Sequence, residues 1–346
     1  MDPLVRTALI ATAAALLSGP FATAALAQKS GGILRAYHRD NPPSASIHEE
    51  ATISTVQPFM AVFNNLVLFN QHAKRNSPDD IVPDLATEWA WSPDNRALTL
   101  KLRDGVKWHD GKPFTSADVK CTWDAIAGKR EAGWRKNPRK QWYFNLEEVT
   151  VNGQHEVTFH LGRPQPSFLT FLASGFSPVY PCHVPGRDMR TKPIGTGPFK
   201  VAEFTPNQMI RLTRNPDYWK PGRPYLDGIE WKIIPSRSTR ILAFIAGEFD
   251  MTFTQDVTIP LLKDVKAQAP DASCELNPSN VQGQLLLNRE APPFDDAEVR
   301  KAMMLSIDRK AFIDILSEGQ DKIGGAMLPP PEGIWGLTPE QLADVP

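Results

Sequence analysis

The 346-residue chain has no excess of either charge: 38 lysines and arginines stand against 39 aspartates and glutamates, a formal net charge of −1. A nucleic-acid binder needs a basic face to neutralise phosphates, so this balance argues against one. Catalytic signatures are missing too. No G-x-S-x-G elbow, H-E-x-x-H, C-x-x-C or G-x-x-x-x-G-K-[ST] occurs in the sequence. Gly195-Thr-Gly197-Pro198 lacks the third glycine and the following helix of a dinucleotide loop, and reads as a turn needing two permissive backbones. Cysteine is scarce: Cys121, Cys182 and Cys274 are an odd number at wide spacing. One disulfide at most can form, and three unpaired thiols fit the spacing equally well. The seven histidines, at 38, 48, 72, 109, 155, 160 and 183, show no ligand spacing. Cys182 and His183 are adjacent, and neighbours on an extended segment point apart, which argues against a metal fragment or a nucleophile and base. No metal and no cofactor are expected.

Long apolar runs are also absent, except near the start. Arg6 precedes an apolar run from Ala8 to Leu17, and Ala25-Leu-Ala27 fits an A-x-A cleavage site before Gln28. The run is too short to span a membrane, and Ser18-Gly19-Pro20 interrupts it. Residues 1–27 are therefore predicted to be a signal peptide cleaved after Ala27. With no cysteine following the site, a free periplasmic protein fits better than a lipid-anchored one.

What is present is a globular composition, 41% hydrophobic with nine Trp and seventeen Phe, and length for roughly two domains. The stretch from Ile81 to Ala127 organises it. An apolar turn carries Leu85, Trp89 and Trp91. Next, Ala97–Arg103 alternates Leu98, Leu100 and Leu102 with Thr99, Lys101 and Arg103, the period of a half-buried strand. Asp104-Gly105 and Asp110-Gly111 mark tight turns. Thr115-Ser-Ala-Asp118 predicts a capping box, and Val119, Trp123 and Ile126 give the following helix one apolar face.

Around this stretch, Gly31–Tyr37 reads as the first strand, Ile53 to Leu66 as helical, and Val67–Phe69 as a strand. Residues 128–143 are the most positive stretch and read as a solvated surface insertion. Asn152-Gly153 predicts a hairpin of Glu147–Val151 and Glu156–Leu161. Further strands are predicted at Phe199–Phe204, Met209–Thr213, Leu226–Ile234 and Phe249–Phe253, with a helix over Ser236–Ala246. Ala272–Leu276 and Gln284–Asn288 read as strands crossing to a second lobe, and Asp295–Leu316 as two helices. Strands alternating with helices indicate an α/β architecture.

Several motifs carry a resemblance when taken in order: Leu85-Ala86 with Trp89, Leu100 to Val106, Trp108-His109-Asp110-Gly111, and Phe114-Thr115 through Asp118-Val119. Pro193–Phe199, Asn215-Pro-Asp-Tyr-Trp219, Pro293-Phe-Asp-Asp296, Val299-Arg300 and Asp308-Arg309 extend it. From about Gly31 onward the chain resembles the extracytoplasmic solute-binding proteins of ABC importers, in the peptide- and nickel-binding family. The resemblance implies a two-lobed periplasmic-binding-protein fold, type II-like with an extra subdomain. The first lobe is expected over 28–275, with the insertion roughly at 65–190, and an incomplete second lobe over 276–346. It further implies a monomer that closes on a small solute, a di- or oligopeptide by default, and delivers it to the permease's transmembrane subunits, whose ATPase does the work. No chemistry is implied, and nucleic acid is not a partner. By order of motifs, the ligand wall is expected at Ala51, Thr52 and Ile53 of the first lobe and at Thr254, Gln255, Val281 and Gln282 of the crossing segments. In peptide-binding members the acidic residue that meets the ligand's amino terminus lies in a part with no counterpart here. An exported hydrolase, or a degenerate lobe serving as an interaction or sensor protein, is the alternative.

Overall fold

The computed structural model describes residues 29–73, 76–129, 133–253, 256–275, 285–321, 323 and 339–343. The predicted signal peptide and the positions Thr254, Gln255, Val281 and Gln282 lie outside them. In chain order the elements begin with β1 (Ile33–His38), α1 (Ile53–Phe59), β2 (Val67–Phe69), β3 (Ile81–Pro83), β4 (Ala86–Trp91), β5 (Ala97–Leu102) and α2 (Ser116–Ile126). Next come β6 (Leu146–Val151), β7 (Glu156–Leu161), α3 (Phe168–Ala173), α4 (Gly186–Met189), β8 (Phe199–Thr205), β9 (Met209–Arg214), β10 (Gly228–Ile233) and α5 (Arg237–Ile245). The last are α6 (Ile259–Gln268), α7 (Ala297–Ser306), α8 (Arg309–Ser317) and α9 (Pro339–Ala343).

Two four-stranded sheets carry the α/β architecture. One runs β1-β10-β9-β8, with β1 parallel to β10 and the other pairs antiparallel. The other, β4-β5-β7-β6, is antiparallel throughout, and β2-β3 form a separate ribbon. In the second sheet the predicted alternation of β5 is observed: Leu98, Leu100 and Leu102 are buried, with Leu98 opposite Phe159 and Leu100 opposite Val157. The predicted capping box forms between Thr115 and Asp118. It starts α2 so that Val119, Trp123 and Ile126 bury against this sheet, Trp123 meeting Phe159 edge-on at 5.1 Å. A distinct core, including Ile47, Phe59, Phe63, Tyr180 and Trp231, fills the space between the first sheet and α1.

Several expectations are corrected. The apolar turn at Leu85–Trp91 is strand β4, paired with β5. Phe249–Phe253 makes only a single bridge, Ala36 to Met251, and Ala272–Glu275 and Leu285–Asn288 are not strands. Gly195 and Gly197 are required by space rather than backbone freedom. Neither has positive φ, and a Cβ on either would collide with the backbone at Val62, whose carbonyl accepts from Gly197 N–H at 2.9 Å. Cys121 and Cys182, whose pairing the spacing left open, form a disulfide with Cα atoms 5.5 Å apart, and Cys274 is free. The bridge ties α2 to the proline-rich segment 61 residues on, a closure that stabilises by about 4 kcal/mol in the chain-entropy model.

Candidate functional site

The loop from β1 to α1, residues 39–52, is polar in sequence yet mostly buried. Ser44, Ser46, His48 and Glu49 are each less than a tenth exposed. Burying such a loop favours pairing of its polar groups, and several are paired by distant parts of the chain. Ile47 N–H donates to the Tyr180 hydroxyl at 2.7 Å, and Ala45 N–H donates to the Arg190 carbonyl at 2.8 Å. His48 Nε2 lies 2.7 Å from the Pro178 carbonyl. A carbonyl only accepts, so Nε2 carries the proton and Nδ1 is left to accept from Asn137 Nδ2 at 3.4 Å. Burial pushes this imidazole down to about 4. Burial also pushes the Glu49 carboxyl up, but the Arg190 guanidinium and the Arg135 N–H outweigh it and hold the group below the usual carboxylate range.

The chain emerges from this loop at Ala51, Thr52 and Ile53, all exposed. Thr52 is the N-cap of α1, with extended backbone (φ −104°, ψ 154°), and its hydroxyl makes no capping bond. Ile53 and Met60, each 45% exposed, lie on the outer face of α1, while Val56 and Phe59 face the core. Beyond the wall the chain is anchored again, by Ser54 Oγ donating to Asp40 Oδ1 at 2.5 Å and Thr55 Oγ1 to the Ser44 carbonyl at 3.2 Å. Of the seven predicted site residues, these three, consecutive in sequence, lie among the described residues. The other four fall outside the described residues.

Sequence reasoning missed two features. Where the first sheet hands over to the predicted crossing, Arg240 grips Asp256 through Nε and Nη2, at 2.7 and 3.0 Å, and both side chains are buried. Arg240 also donates to the carbonyls of Ile234 and Pro235, and Arg237 Nε donates to the Asp256 carbonyl. The i, i+3 spacing of Arg237 and Arg240 on one helix face was the available signal. The second feature is a polar node that joins the motifs. Asn64 Oδ1 accepts from Thr196 Oγ1 and Trp219 Nε1, each at 3.2 Å, while its Nδ2 donates to Asp84. Lys220 Nζ lies 2.7 Å from the buried Asp84 carboxylate, whose pKa burial raises despite that charge. His109 accepts from Gly195 N–H at Nδ1, so Nε2 carries the proton toward the Gly197 carbonyl; burial pushes the ring down to about 4. The signature residues thus meet in one polar node. His183, left without a role in sequence, bonds Asp110 at 2.7 Å. Among the described residues no group of three or more His, Cys, Asp or Glu could hold a metal ion, and no helix is long and apolar enough to cross a membrane.

Comparison with known proteins places the chain as a whole. The family model of bacterial extracellular solute-binding proteins, family 5, matches residues 80–344. Di/tripeptide-binding protein 1 of Pseudomonas aeruginosa is 28% identical over 309 residues, 82% of this chain and 55% of its own length. A putative ABC transporter peptide-binding protein of Brucella ovis is 30% identical over 328 residues, 90% of this chain and 58% of its own. Among solved structures, the oligopeptide-binding protein AppA of Bacillus subtilis, in complex with a nonapeptide, superposes with a TM-score of 0.70 at 25% identity. That match covers 86% of this chain and 57% of AppA. The chain spans little more than half the length of the relatives it matches.

Proposed function

The chain belongs to family 5 of the bacterial extracellular solute-binding proteins, and from that membership we propose that it captures a di- or oligopeptide for an ABC importer. The observation that carries this is the exposed stretch Ala51–Ile53, with extended backbone at Thr52 where α1 begins, flanked by bonded side chains at Glu50, Ser54 and Thr55. Extended backbone is what strand-like pairing with a peptide requires, and a pinned wall avoids the ordering cost of binding. The act is reversible binding, without bond making; the permease's transmembrane subunits receive the peptide and their ATPase drives transport. Relatives named as di/tripeptide-binding and ABC transporter peptide-binding proteins support this reading.

Export to the periplasm as a monomer, with cleavage after Ala27, is part of the proposal and rests on the sequence of the first 27 residues. So is the division into a first lobe over 28–275, with an insertion at roughly 65–190, and second-lobe residues from 276. Its support is the separate core of the β4-β5-β7-β6 sheet, formed from residues between Leu66 and Val179.

Calorimetric titration of the purified chain with a panel of di- and tripeptides tests the function. Saturable heat is expected, with a thermal shift worth about 2.7 kcal/mol at a hundredfold excess over Kd. Absence of both across the panel, or hydrolysis of any peptide in it, sinks the reading.

A further inference from the structure

The basic segment of residues 128–143 was read in sequence as solvated, and the structure puts Arg139 of it inside. Arg139 is 8% exposed. Its Nη2 donates to the Ile47 carbonyl at 2.6 Å, and its guanidinium carbon lies 4.1 Å from the centre of the Phe176 ring. From the other side Arg190 holds the fully buried Glu49 carboxylate through two bonds of 2.8 Å and donates to the Gly133 carbonyl at 2.6 Å. Arg135 N–H adds a third bond to Glu49, at 2.6 Å. Glu50 in turn accepts from Ser44 Oγ at 2.7 Å.

These bonds hold the chain on both sides of the exposed wall. Ile47, Glu49 and Glu50 are held on one side of Ala51–Ile53, and Ser54 and Thr55 on the other. Three residues between two hydrogen-bonded flanks have fewer conformations open to them than a free segment of that length. We propose that Arg139 and Arg190 are positioning residues for ligand binding: without touching ligand, they preset the backbone of the Ala51–Ile53 wall. The proposal rests on the peptide-binding reading of that wall. It also gives the basic segment a role that its charge alone does not suggest.

The test is hydrogen exchange by mass spectrometry on the purified ligand-free chain, paired with calorimetric titration by the dipeptide Ala-Ala. In Arg139→Met and Arg190→Met, amides of residues 44–56 are expected to exchange at least tenfold faster. Amides of β5 and β7 should keep wild-type protection, and Ala-Ala affinity should fall at least tenfold. Arg190→Lys, which keeps the charge but loses the fork, is expected to fall between wild type and Arg190→Met on both readouts. Unchanged exchange at 44–56, equal loss of protection throughout the chain, or faster exchange with unaltered affinity each overturns the proposal. Should the methionine variants fail to fold, Arg190→Lys alone carries the test with the same criteria. A wild-type chain that binds no dipeptide refutes the peptide reading alone, and exchange at 44–56 then decides whether the arginines set the wall.

Discussion

The regions before and after the predicted crossing form helices equally well and bury them very differently. Helix α5 starts at Ser236, which caps Thr239 N–H; α7 and α8 start at Asp296 and Asp308, which cap Glu298 and Ala311. In the first region, Leu98, Phe159 and Trp123 are excluded from water. In the second, Leu305 is 78%, Ile315 74% and Leu316 64% exposed. Contact between α8 and the rest runs mainly through α6, with the ion pair Lys263–Glu318 beside it. The contrast separates two causes that sequence patterns merge. Caps and periodicity decide whether a helix forms, while burial of its apolar stripe needs a facing layer.

The largest effects should come from the first region. Phe159→Ala removes a ring packed against Trp123 and Phe168, and about 4 kcal/mol of stability should be lost in urea unfolding. A loss below about 1 kcal/mol would mean that this core is as loose as the α7–α8 face. Next comes the junction between the regions. Arg240→Met strands the buried Asp256 carboxylate, with an expected cost of about 3 kcal/mol. Arg240→Met with Asp256→Leu should recover most of it, because the cost lies in the unpaired charge. If the double variant is no more stable than the single, the pair is not what secures the junction.

Legibility in the sequence followed the range of the interactions. The capping box at Thr115, the alternation of β5 and the Asn152-Gly153 hairpin are set by neighbours a few residues apart, and all were read correctly. Strand β4 was missed because a register shift between Ala86 and Glu88 breaks its alternation. At Phe249–Phe253 the pattern was strand-like, but the Asp250 carboxylate accepts from Arg35 N–H where a ladder carbonyl would. The candidate site was legible only as a position. Residues 44–50 look like a solvated polar loop, because Arg139 and Arg190 lie 92 and 141 residues from their partners Ile47 and Glu49. Charge density marked residues 128–143 as surface, and nothing local announced that one guanidinium turns inward.

Acid should separate the regions next. His48 and His109 titrate near 4 in the folded chain against 6.5 for an ordinary histidine, and both belong to the first region. The unfolded chain therefore takes up these protons first as pH falls. Stability is complete above about pH 6.5 and declines down to about 4, by about 3 kcal/mol for each ring at the limit. Glu49, held below the carboxylate range, adds its loss from about pH 4.5 downward. Midpoints of urea unfolding between pH 7 and 4.5 give the slope, which His48→Gln should reduce, leaving the shares of His109 and the buried His38. A profile unchanged by that substitution would show that His48 is not buried as a neutral ring.

The smallest expected change in stability is also the sharpest test of the comparison. Ile315→Gln with Leu316→Gln exchanges two exposed apolar side chains for good helix formers, and the urea midpoint should move by less than about 0.5 kcal/mol. Apolar side chains grouped on a surface drive association, so light scattering of the variant should show less self-association than wild type. A loss of 2 kcal/mol or more would mean that the stripe of α8 is covered in solution. The two regions would then differ in what covers their helices, and the supposed difference in burial would disappear.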